Sequence, residues 1–400
     1  MRNNVEALEN KPLDLSLFHR EIPTMAILLL TPFVAYFNAY FLFLPLIWIG
    51  ALLSRIEKKN VKGVSRSLFL SYFLAIWMIA YHFYVAKTQI AIDEIRHYLG
   101  FIFIYPALSS IFRNRPYELK SFFVWMGMLI SIVHIAEGIL INCFPILLEI
   151  LGNYPDVNVH ISYATRVLGF YVRPMGLGVH HSGTATLIVV LLTLASNLND
   201  FVGYGTLRKM RLLANCAVIL SFSGTGFAFL LMHMGLRIFR SRWKKVAIVP
   251  LGVILLTPVI VIFIPGFDDR SPLWKISAPY ILFLVDLKVS SLSATFIPNG
   301  LWNLFWGIKS LASERAFTWT DFALGSFLNV FGLSGIVLHC AFAFRNMNRF
   351  TIVPLLMLAL STLHYSALFT PLGQMVFVML LLVKPEADNL PQNQMPALTT

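Results

Sequence analysis

The chain has 400 residues, of which 58% are hydrophobic and only 12% are charged, and its mean hydropathy is +0.73. Polar groups are too few to cover a water-soluble globule of this length, so the composition excludes a soluble enzyme. Apolar runs of about 15 to 30 residues recur along nearly the whole chain, which favours a helical bundle over a transmembrane β-barrel. We therefore predict an all-α, polytopic bundle of transmembrane helices in a single domain over residues 1–400.

The net charge of +12 is carried by short basic clusters between apolar runs. This distribution fits the positive-inside rule better than a nucleic-acid-binding face, so no nucleic-acid partner is expected. The cysteines, Cys143, Cys216 and Cys340, are odd in number and lie in or beside apolar runs, which argues against a disulfide framework or a zinc site. The first 22 residues mix acidic and basic side chains, unlike a cleavable signal peptide.

Three apolar runs with basic residues on both flanks are too long for one span, and each predicts a tight helical hairpin. They cover 24–53, 212–236 and 351–383, with turns near Asn38, within Ser221–Gly226 and at His364–Tyr365. Single spans are predicted at 67–86, 98–112, 121–143, 182–198, 247–265 and 322–344. This layout gives about 12 membrane crossings in a bundle over residues 24–383, with residues 1–23 and 384–400 in the cytoplasm. If the hairpins are interpreted differently, the number of crossings is ten or eleven.

Three outer loops follow from this layout, at Lys87–His97 and at the long segments 144–181 and 266–321. Of the 31 lysines and arginines, 22 fall in the predicted inner segments and nine in the outer loops, which supports the orientation. The nine outer cations are exceptions to the bias, and they direct attention to the two long loops.

The segment Arg166–Ser182 combines arginines, a Pro-Gly turn and a histidine pair just before a predicted span. Arginine forks match phosphate oxygens in pairs, glycine and proline allow a sharp turn, and a helix N-terminus favours neutral, base-competent imidazoles by lowering their pKa. The simpler interpretation is that the arginines reach lipid headgroups and the histidines cap a helix. The residues concerned are Arg166, Arg173, Pro174, Gly176, Gly178, His180 and His181.

The second long loop adds Arg270 and Arg315 together with four tryptophans, which form either an interfacial belt or stacking surfaces for sugar rings. Two acidic pairs, Asp93–Glu94 and Asp268–Asp269, offer a metal ligand or a base, although adjacent loop acids are usually just solvated. Neither pair has a third ligand nearby in sequence, and no metal site is predicted.

Glu137 falls about two turns from the outer end of its predicted span, with His134 one turn earlier on the same helical face. An ionisable residue within a span is a functional candidate, and His134 is its expected partner. The alternative is a buried hydrogen-bonded pair that fixes helix packing.

Three short motifs follow one another along the chain: Arg173-Pro174-Met175-Gly176, Ser221–Gly224, and Asp321 followed by Gly332-Leu333-Ser334-Gly335. In this order they resemble the R-P-x-G entry, the S-x-S-x-G segment, and the late-span aspartate and G-L-x-G of O-antigen and exopolysaccharide polymerases, the Wzy-like family. One departure is that His180-His181 stands where many relatives have Glu-Pro.

The resemblance implies a reaction at the periplasmic face of the bacterial inner membrane. A growing glycan on undecaprenyl diphosphate is transferred to a second lipid-linked repeat unit, without a nucleotide sugar or cofactor. The implied partners are these lipid-linked glycans and membrane lipid, together with a chain-length regulator and a flippase. In this interpretation Arg166, Arg173, Arg270 and Arg315 hold the diphosphate, while His180, His181 or Asp321 activates the acceptor hydroxyl; Gly176 and Glu137 support them.

Three alternatives stay open at this point. An O-antigen ligase of the same superfamily would transfer finished glycan to another acceptor. A lipid-linked oligosaccharide flippase or transporter is disfavoured because the sequence shows no internal repeat and its polar residues concentrate in the outer loops. A metal-dependent glycosyltransferase would use one of the two acidic pairs.

Overall fold

A computed structural model describes most of the apolar chain. It covers residues 15–37, 39–56, 66–85, 88–112, 116–144, 146, 171–198, 204–240, 286, 289–290, 300–307, 323–364 and 367–384. These residues form helices and turns with no β-strand among them, which confirms the all-α class. In chain order the helices are α1 Leu15–Tyr36, α2 Tyr40–Ile56, α3 Arg66–Val85, α4 Thr88–Leu99, α5 Phe101–Phe112, α6 Pro116–Cys143, α7 His181–Asn197, α8 Tyr204–Ser221, α9 Gly224–Arg240, α10 Gly300–Trp306, α11 Ala323–Asn346, α12 Ile352–Ser361 and α13 Pro371–Leu382.

The apolar helices indicate a membrane-embedded protein. Two of them are long and apolar enough to cross a bilayer, at Glu118–Cys143 in α6 and Ala323–Asn346 in α11. Helices α4 and α5 meet at a 47° bend and form a third candidate span when taken together. The other apolar helical stretches among the described residues have 10–17 residues, and the predicted count of about 12 spans is not confirmed.

The predicted hairpin at 24–53 is present in the structure. Helices α1 and α2 pack against each other, and a Cβ on Gly50 would lie 3.7 Å from Leu28 and 3.9 Å from Ile27, so the two helices run antiparallel. The break between them falls at residues 37–39, beside the predicted turn at Asn38.

The breaks of the other two predicted hairpins also lie close to the expected positions. Helix α8 ends at Ser221 and α9 begins at Gly224, while α12 and α13 are separated by residues 362–370. The start of α8 differs from the prediction, because the helix begins at Tyr204 rather than near 212. The basic residues Arg208, Lys209 and Arg211, expected in an inner loop, therefore lie in its first two turns.

The outer loop predicted at Lys87–His97 is wrong, because the chain is helical from Thr88 to Leu99. Buried side chains recur at helical spacing along α4, at Ala91, Ile95 and Tyr98. This pattern gives an amphipathic helix whose apolar face packs on the bundle. The charged residues between these positions made the segment resemble a loop.

The acidic pair Asp93–Glu94 is not a solvated loop pair. Glu94 lies on the buried face of α4 and is 5% exposed; its carboxylate Oε2 is 2.6 Å from Nε2 of His82 in α3, which is 2% exposed. Asp93 points outwards and pairs with Arg96 at 3.2 Å. The two carboxylates therefore have separate basic partners.

Helix α7 lies at the centre of the described bundle. All its residues from Ser182 to Ala195 are buried, and the helix packs against α6, α8, α9 and α12. Small and branched apolar residues on every side, with no charged side chain in the helix, suit a helix that is surrounded by protein. The helices packed around α7 therefore determine which side chains lie at its two ends.

Side-chain contacts fix the direction of the helices around α7. Gly127 of α6 packs against Leu191, whereas Gly138 packs against Pro174 just before α7, so α6 and α7 are antiparallel. Thr193 Oγ1 lies 3.0 Å from His233 Nδ1 in α9, a helix that starts beside the beginning of α7 and runs parallel to it. Basic residues near the ends of these helices lie towards the C-terminal end of α7: Lys120, Arg208, Lys209, Arg211, Arg237 and Arg345.

The G-L-S-G stretch breaks α11. Gly332 has φ +57° and ψ −158° inside the helix, and α10 packs against this break. A Cβ on Gly332 would lie 2.6 Å from the carbonyl oxygens of Leu304 and Phe305, and Gly307, with φ +80°, abuts the backbone of Val330. Both positions require glycine, since a side chain would collide with backbone and favour another φ.

Candidate functional site

A polar cluster surrounds the N-terminus of α7, where the chain enters the bundle through residues 171–180. This segment turns at residues 176–179, with φ +67° at Gly176 and +62° at Val179. A Cβ on Gly176 would lie 2.5 Å from both His134 Nδ1 and Thr184 Cγ2. Only glycine fits this position, because the backbone passes between α6 and α7 in a left-handed conformation.

The carboxylate of Glu137 holds the turn from the α6 side. Its Oε1 accepts the backbone N–H of Met175 at 3.0 Å, and its Oε2 accepts that of Gly176 at 2.6 Å. Two successive N–H groups that converge on one anion form a nest, and bonds to a charged acceptor are stronger than neutral ones. Glu137 thus fixes the backbone two residues after Arg173.

Asn142, one turn beyond Glu137 on α6, holds the same segment. Its Nδ2 donates to the carbonyl of Val172 at 2.8 Å, and its Oδ1 accepts the N–H of the same residue at 2.8 Å. A backbone unit whose donor and acceptor are both bound by one amide cannot rotate freely. Arg173 therefore lies in a backbone segment that hydrogen bonds hold on both sides of it.

Residues in the first turn of α7 also form hydrogen bonds with the entry segment, residues 171–180. Thr184 Oγ1 donates to the carbonyl of Met175 at 2.5 Å and accepts the N–H of Gly178 at 2.9 Å. His180 is the N-cap, and its Nδ1 accepts the N–H of Ser182 at 3.2 Å. This is the capping role that the sequence left open for the histidines, and in the structure it belongs to His180.

The imidazoles of His180 and His181 are adjacent, with ring centroids 4.0 Å apart. Arg173, His134 and His364 also lie within electrostatic range of His181. His364 comes from the segment between α12 and α13, and its carbonyl accepts the N–H of Ala323 at the start of α11. The cluster therefore draws on α6, the entry turn, α7 and the segment after α12.

The serine motif at the α8–α9 break joins the same cluster. Ser223 Oγ donates to Ser182 Oγ at 2.9 Å and accepts the N–H of Gly226 at 3.1 Å. Gly226 packs directly on Ala185, where a Cβ would be only 2.6 Å away. The motif brings the start of α9 against the start of α7.

Tyr171 connects the entry segment to the other side of this break. Its hydroxyl donates to the carbonyl of Leu220 at 2.8 Å, at the end of α8. Burial, together with the nearby Glu137 carboxylate, raises the pKa of Tyr171 to about 12. The hydroxyl therefore keeps its proton, and hence its role as a donor, at physiological pH.

The expected pairing of Glu137 with His134 is wrong. Both ring nitrogens of His134 are buried and have no hydrogen-bond partner among the described residues, while the Glu137 carboxylate binds the backbone of the entry turn. The spacing on α6 correctly put both residues on one face. This spacing did not indicate that the backbone at Gly176 would lie between α6 and α7 and contact both His134 and Glu137.

The structure brings five of the nine predicted site residues together, namely Arg173, Gly176, Glu137, His180 and His181. The other four, Arg166, Arg270, Arg315 and Asp321, lie outside the described residues. Sequence reasoning missed the parts played by Thr184, Ser182 and His364, because hydroxyls at a helix start and a histidine in a turn carry no distinctive spacing. In the described ranges no group of three or more His, Cys, Asp or Glu side chains could hold a metal ion.

This arrangement offers two kinds of chemistry. A half-buried arginine on a fixed backbone can bind phosphate oxygens, and an imidazole pair at the same place can transfer protons. Comparison with known proteins finds no match to any family model, curated protein or solved structure. The functional argument therefore depends on the sequence motifs and on this geometry.

Proposed function

We propose that the protein is a polysaccharide polymerase that joins undecaprenyl-diphosphate-linked repeat units at the outer face of the bacterial inner membrane. The observation that carries the proposal is the meeting of Arg173 with the histidine pair at the start of α7. The R-P-x-G resemblance contributes the lipid-diphosphate substrate, and the geometry contributes a fixed cation beside a candidate base.

The distribution of charge supports an outward orientation for the cluster. The described basic residues near the helix ends, such as Arg208, Arg237 and Arg345, lie towards the opposite end of α7. Clusters of this kind favour the cytoplasmic side of a membrane. The cluster at the start of α7 would then face away from the cytoplasm, where a polymer can grow without returning across the bilayer.

The reaction is a displacement at the anomeric carbon of the donor glycan. The acceptor hydroxyl oxygen forms the new bond to this carbon, the bond from the carbon to the phosphate oxygen breaks, and the diphosphate leaves with the electron pair. Arg173 stabilises the charge that develops on the leaving oxygens. The hydroxyl proton passes to a histidine of the cluster.

Of the two histidines we assign the base to His181, because His180 is engaged as the cap of α7. His180 already accepts the Ser182 N–H at Nδ1, so its neutral ring carries the proton on Nε2. Protonating Nδ1 would break the cap of α7. In this proposal His180 positions the helix start, and His181 takes the proton.

The test is the saccharide profile of a deletion strain complemented with variants. Arg173→Ala should leave glycans of a single repeat unit without long chains, whereas Arg345→Ala, an exposed arginine at the end of α11, should give normal ladders. Normal ladders from Arg173→Ala at equal protein levels would contradict the site. Long polymer that is retained but not attached to its acceptor in the deletion strain would indicate a ligase instead.

A further inference from the structure

The backbone nest at the entry turn holds an anion that belongs to the protein itself. The N–H groups of Met175 and Gly176 both bind the Glu137 carboxylate, at 3.0 and 2.6 Å. Nests of this kind also bind phosphate, because successive N–H dipoles point at one acceptor. The same two N–H groups would therefore bind phosphate oxygens if the carboxylate left them.

Arg173 lies on the same short segment, two residues before Met175. Hydrogen bonds fix the backbone on both sides of it, from Asn142 to Val172 and from Glu137 to Met175. A guanidinium offers donors in a planar fork that matches phosphate oxygens in pairs. One guanidinium and two backbone N–H groups on a fixed segment are a suitable donor set for a diphosphate, which has several oxygens and more than one negative charge.

The nest is covered by the carboxylate that occupies it. Met175 and Gly176 are buried, whereas Glu137 and Arg173 are both partly exposed. An anion that approaches from the exposed side therefore meets Arg173 and Glu137 first, and it reaches the N–H groups only after the carboxylate has moved away. The nest is thus an anion site with an internal competitor.

The buried ring of His134 faces the same turn. This residue is 0% exposed, and neither ring nitrogen has a hydrogen-bond partner among the described residues. Its Nδ1 lies 2.5 Å from the position of a Cβ on Gly176, and it comes one helical turn before Glu137 on the same face of α6. A buried imidazole without a partner costs free energy, so packing alone gives no reason for a histidine here. A ring N–H at this position would satisfy a carboxylate that has left the nest.

We propose that the lipid diphosphate and the Glu137 carboxylate exchange places at this nest. The structure shows the arrangement in which the carboxylate is bound and does not pair with His134. When the substrate binds, diphosphate oxygens take the N–H groups of Met175 and Gly176 together with the guanidinium of Arg173. The carboxylate then turns to the ring of His134. After glycan transfer it returns to the nest and displaces the released lipid diphosphate; the identity of this lipid rests on the proposed function.

Binding of two diphosphates to the full-length protein, purified in detergent, tests the exchange by isothermal titration calorimetry. Glu137→Gln carries a neutral and therefore weaker competitor, so it should bind inorganic diphosphate and farnesyl diphosphate roughly tenfold more tightly than the unmodified protein does. Farnesyl diphosphate should bind more tightly than inorganic diphosphate, because its apolar chain anchors it in the micelle. The opposite order would assign the nest to a soluble diphosphate and overturn the proposal.

Two control variants separate competition from a loosened turn. Asn142→Ala removes the hydrogen bonds to Val172 and loosens the same segment without freeing the nest, so it should lose stability and gain no affinity for diphosphate. Glu118→Gln makes the same charge change at the other end of α6 and should bind like the unmodified protein. Unchanged or weaker binding in a folded Glu137→Gln would overturn the exchange, and so would equal tightening in Asn142→Ala.

Two further variants decide the matter if Glu137→Gln does not fold. Glu137→Asp keeps the charge but reaches the nest less well, so it should tighten diphosphate binding by a smaller factor. His134→Leu loses no hydrogen bond among the described residues and should be at least as stable as the unmodified protein, yet it should bind diphosphate more weakly, because the displaced carboxylate lacks its donor. Diphosphate binding that changes in neither variant would overturn the exchange.

The binding experiment and the polymerase proposal can fail separately, since the glycan ladders of the deletion strain test the polymerase. Tighter binding in Glu137→Gln, together with normal ladders in the deletion strain, would support the diphosphate site and contradict the polymerase. Unchanged binding in a folded Glu137→Gln, together with ladders that require Arg173, would support the polymerase and overturn the exchange.

Discussion

The carboxylate of Glu137 and the backbone N–H of Gly176 are joined by a 2.6 Å hydrogen bond, 39 residues apart in sequence. The same carboxylate accepts the neighbouring N–H of Met175 at 3.0 Å. An acid that the sequence marked as a functional candidate within a span is thus a structural anion for a turn, and the arginine two residues before Met175 depends on it.

We expect Glu137→Gln to reduce both stability and polymer length. The neutral amide has one acceptor oxygen and must turn its NH₂ towards one of the two N–H groups, so a charge-assisted bond worth about 1.5–3 kcal/mol is lost. Thermal unfolding of the purified protein measures the first effect, and glycan ladders measure the second. Glu118→Gln, at the other end of α6, serves as the control; similar behaviour of both variants would contradict the role of Glu137.

Gly176→Ala should be strongly destabilising. The left-handed conformation at φ +67° costs an alanine about 1–2 kcal/mol, and its Cβ would also collide with His134 and Thr184. Gly205→Ala is the matched control, because nothing lies within 4 Å of a Cβ at that position. Equal melting temperatures for the two variants would show that the turn is not built as described.

Substitutions of the histidine pair should separate capping from catalysis. Asparagine is a good N-cap, so His180→Asn should keep the fold and most of the polymer, whereas His180→Ala should lose about 1 kcal/mol of stability. His181→Asn should fold normally and produce no long chains. The length of the glycan ladders and thermal unfolding are measured on the same three variants. Long polymer from His181→Asn would show that His181 is not the base.

The buried pair of His82 and Glu94 should show strong coupling. Removing one partner leaves an uncompensated polar group in the interior, so Glu94→Leu alone should cost about 3–5 kcal/mol. The double variant with His82→Leu should recover much of this loss, which a double-mutant cycle of unfolding free energies measures. Asp93→Asn, in the exposed pair with Arg96, should change stability by less than about 1 kcal/mol. Additive effects of the two leucine substitutions would refute the coupling.

Hydrophobic patterning was sufficient to predict the helical class and the positions of the three hairpin breaks. These features follow from the chain's own apolar runs and from the residues that interrupt them, such as Ser221–Gly226. Helix α4 was missed because its charged residues suggested a loop exposed to water, although Glu94 has a buried partner in His82. A partner on another helix leaves no trace in local spacing.

The site was predictable to a similar degree. Arg173, His180 and His181 were found because they stand close together in one segment. The attachments made by Glu137, Thr184 and Ser223 were not predictable, since each joins groups that only the folded chain brings together. The pairing of His134 with Glu137 failed for the same reason.

The burial of α7 on every side has a consequence for how the protein opens. The helix is also bonded at its far end, where Asn197 Nδ2 donates to the carbonyl of Phe350 at 2.8 Å. Its amide hydrogens can reach deuterated solvent only when neighbouring helices separate. Amides between Ser182 and Ala195 should therefore be among the slowest to exchange, at a rate that reports the opening of the bundle around them.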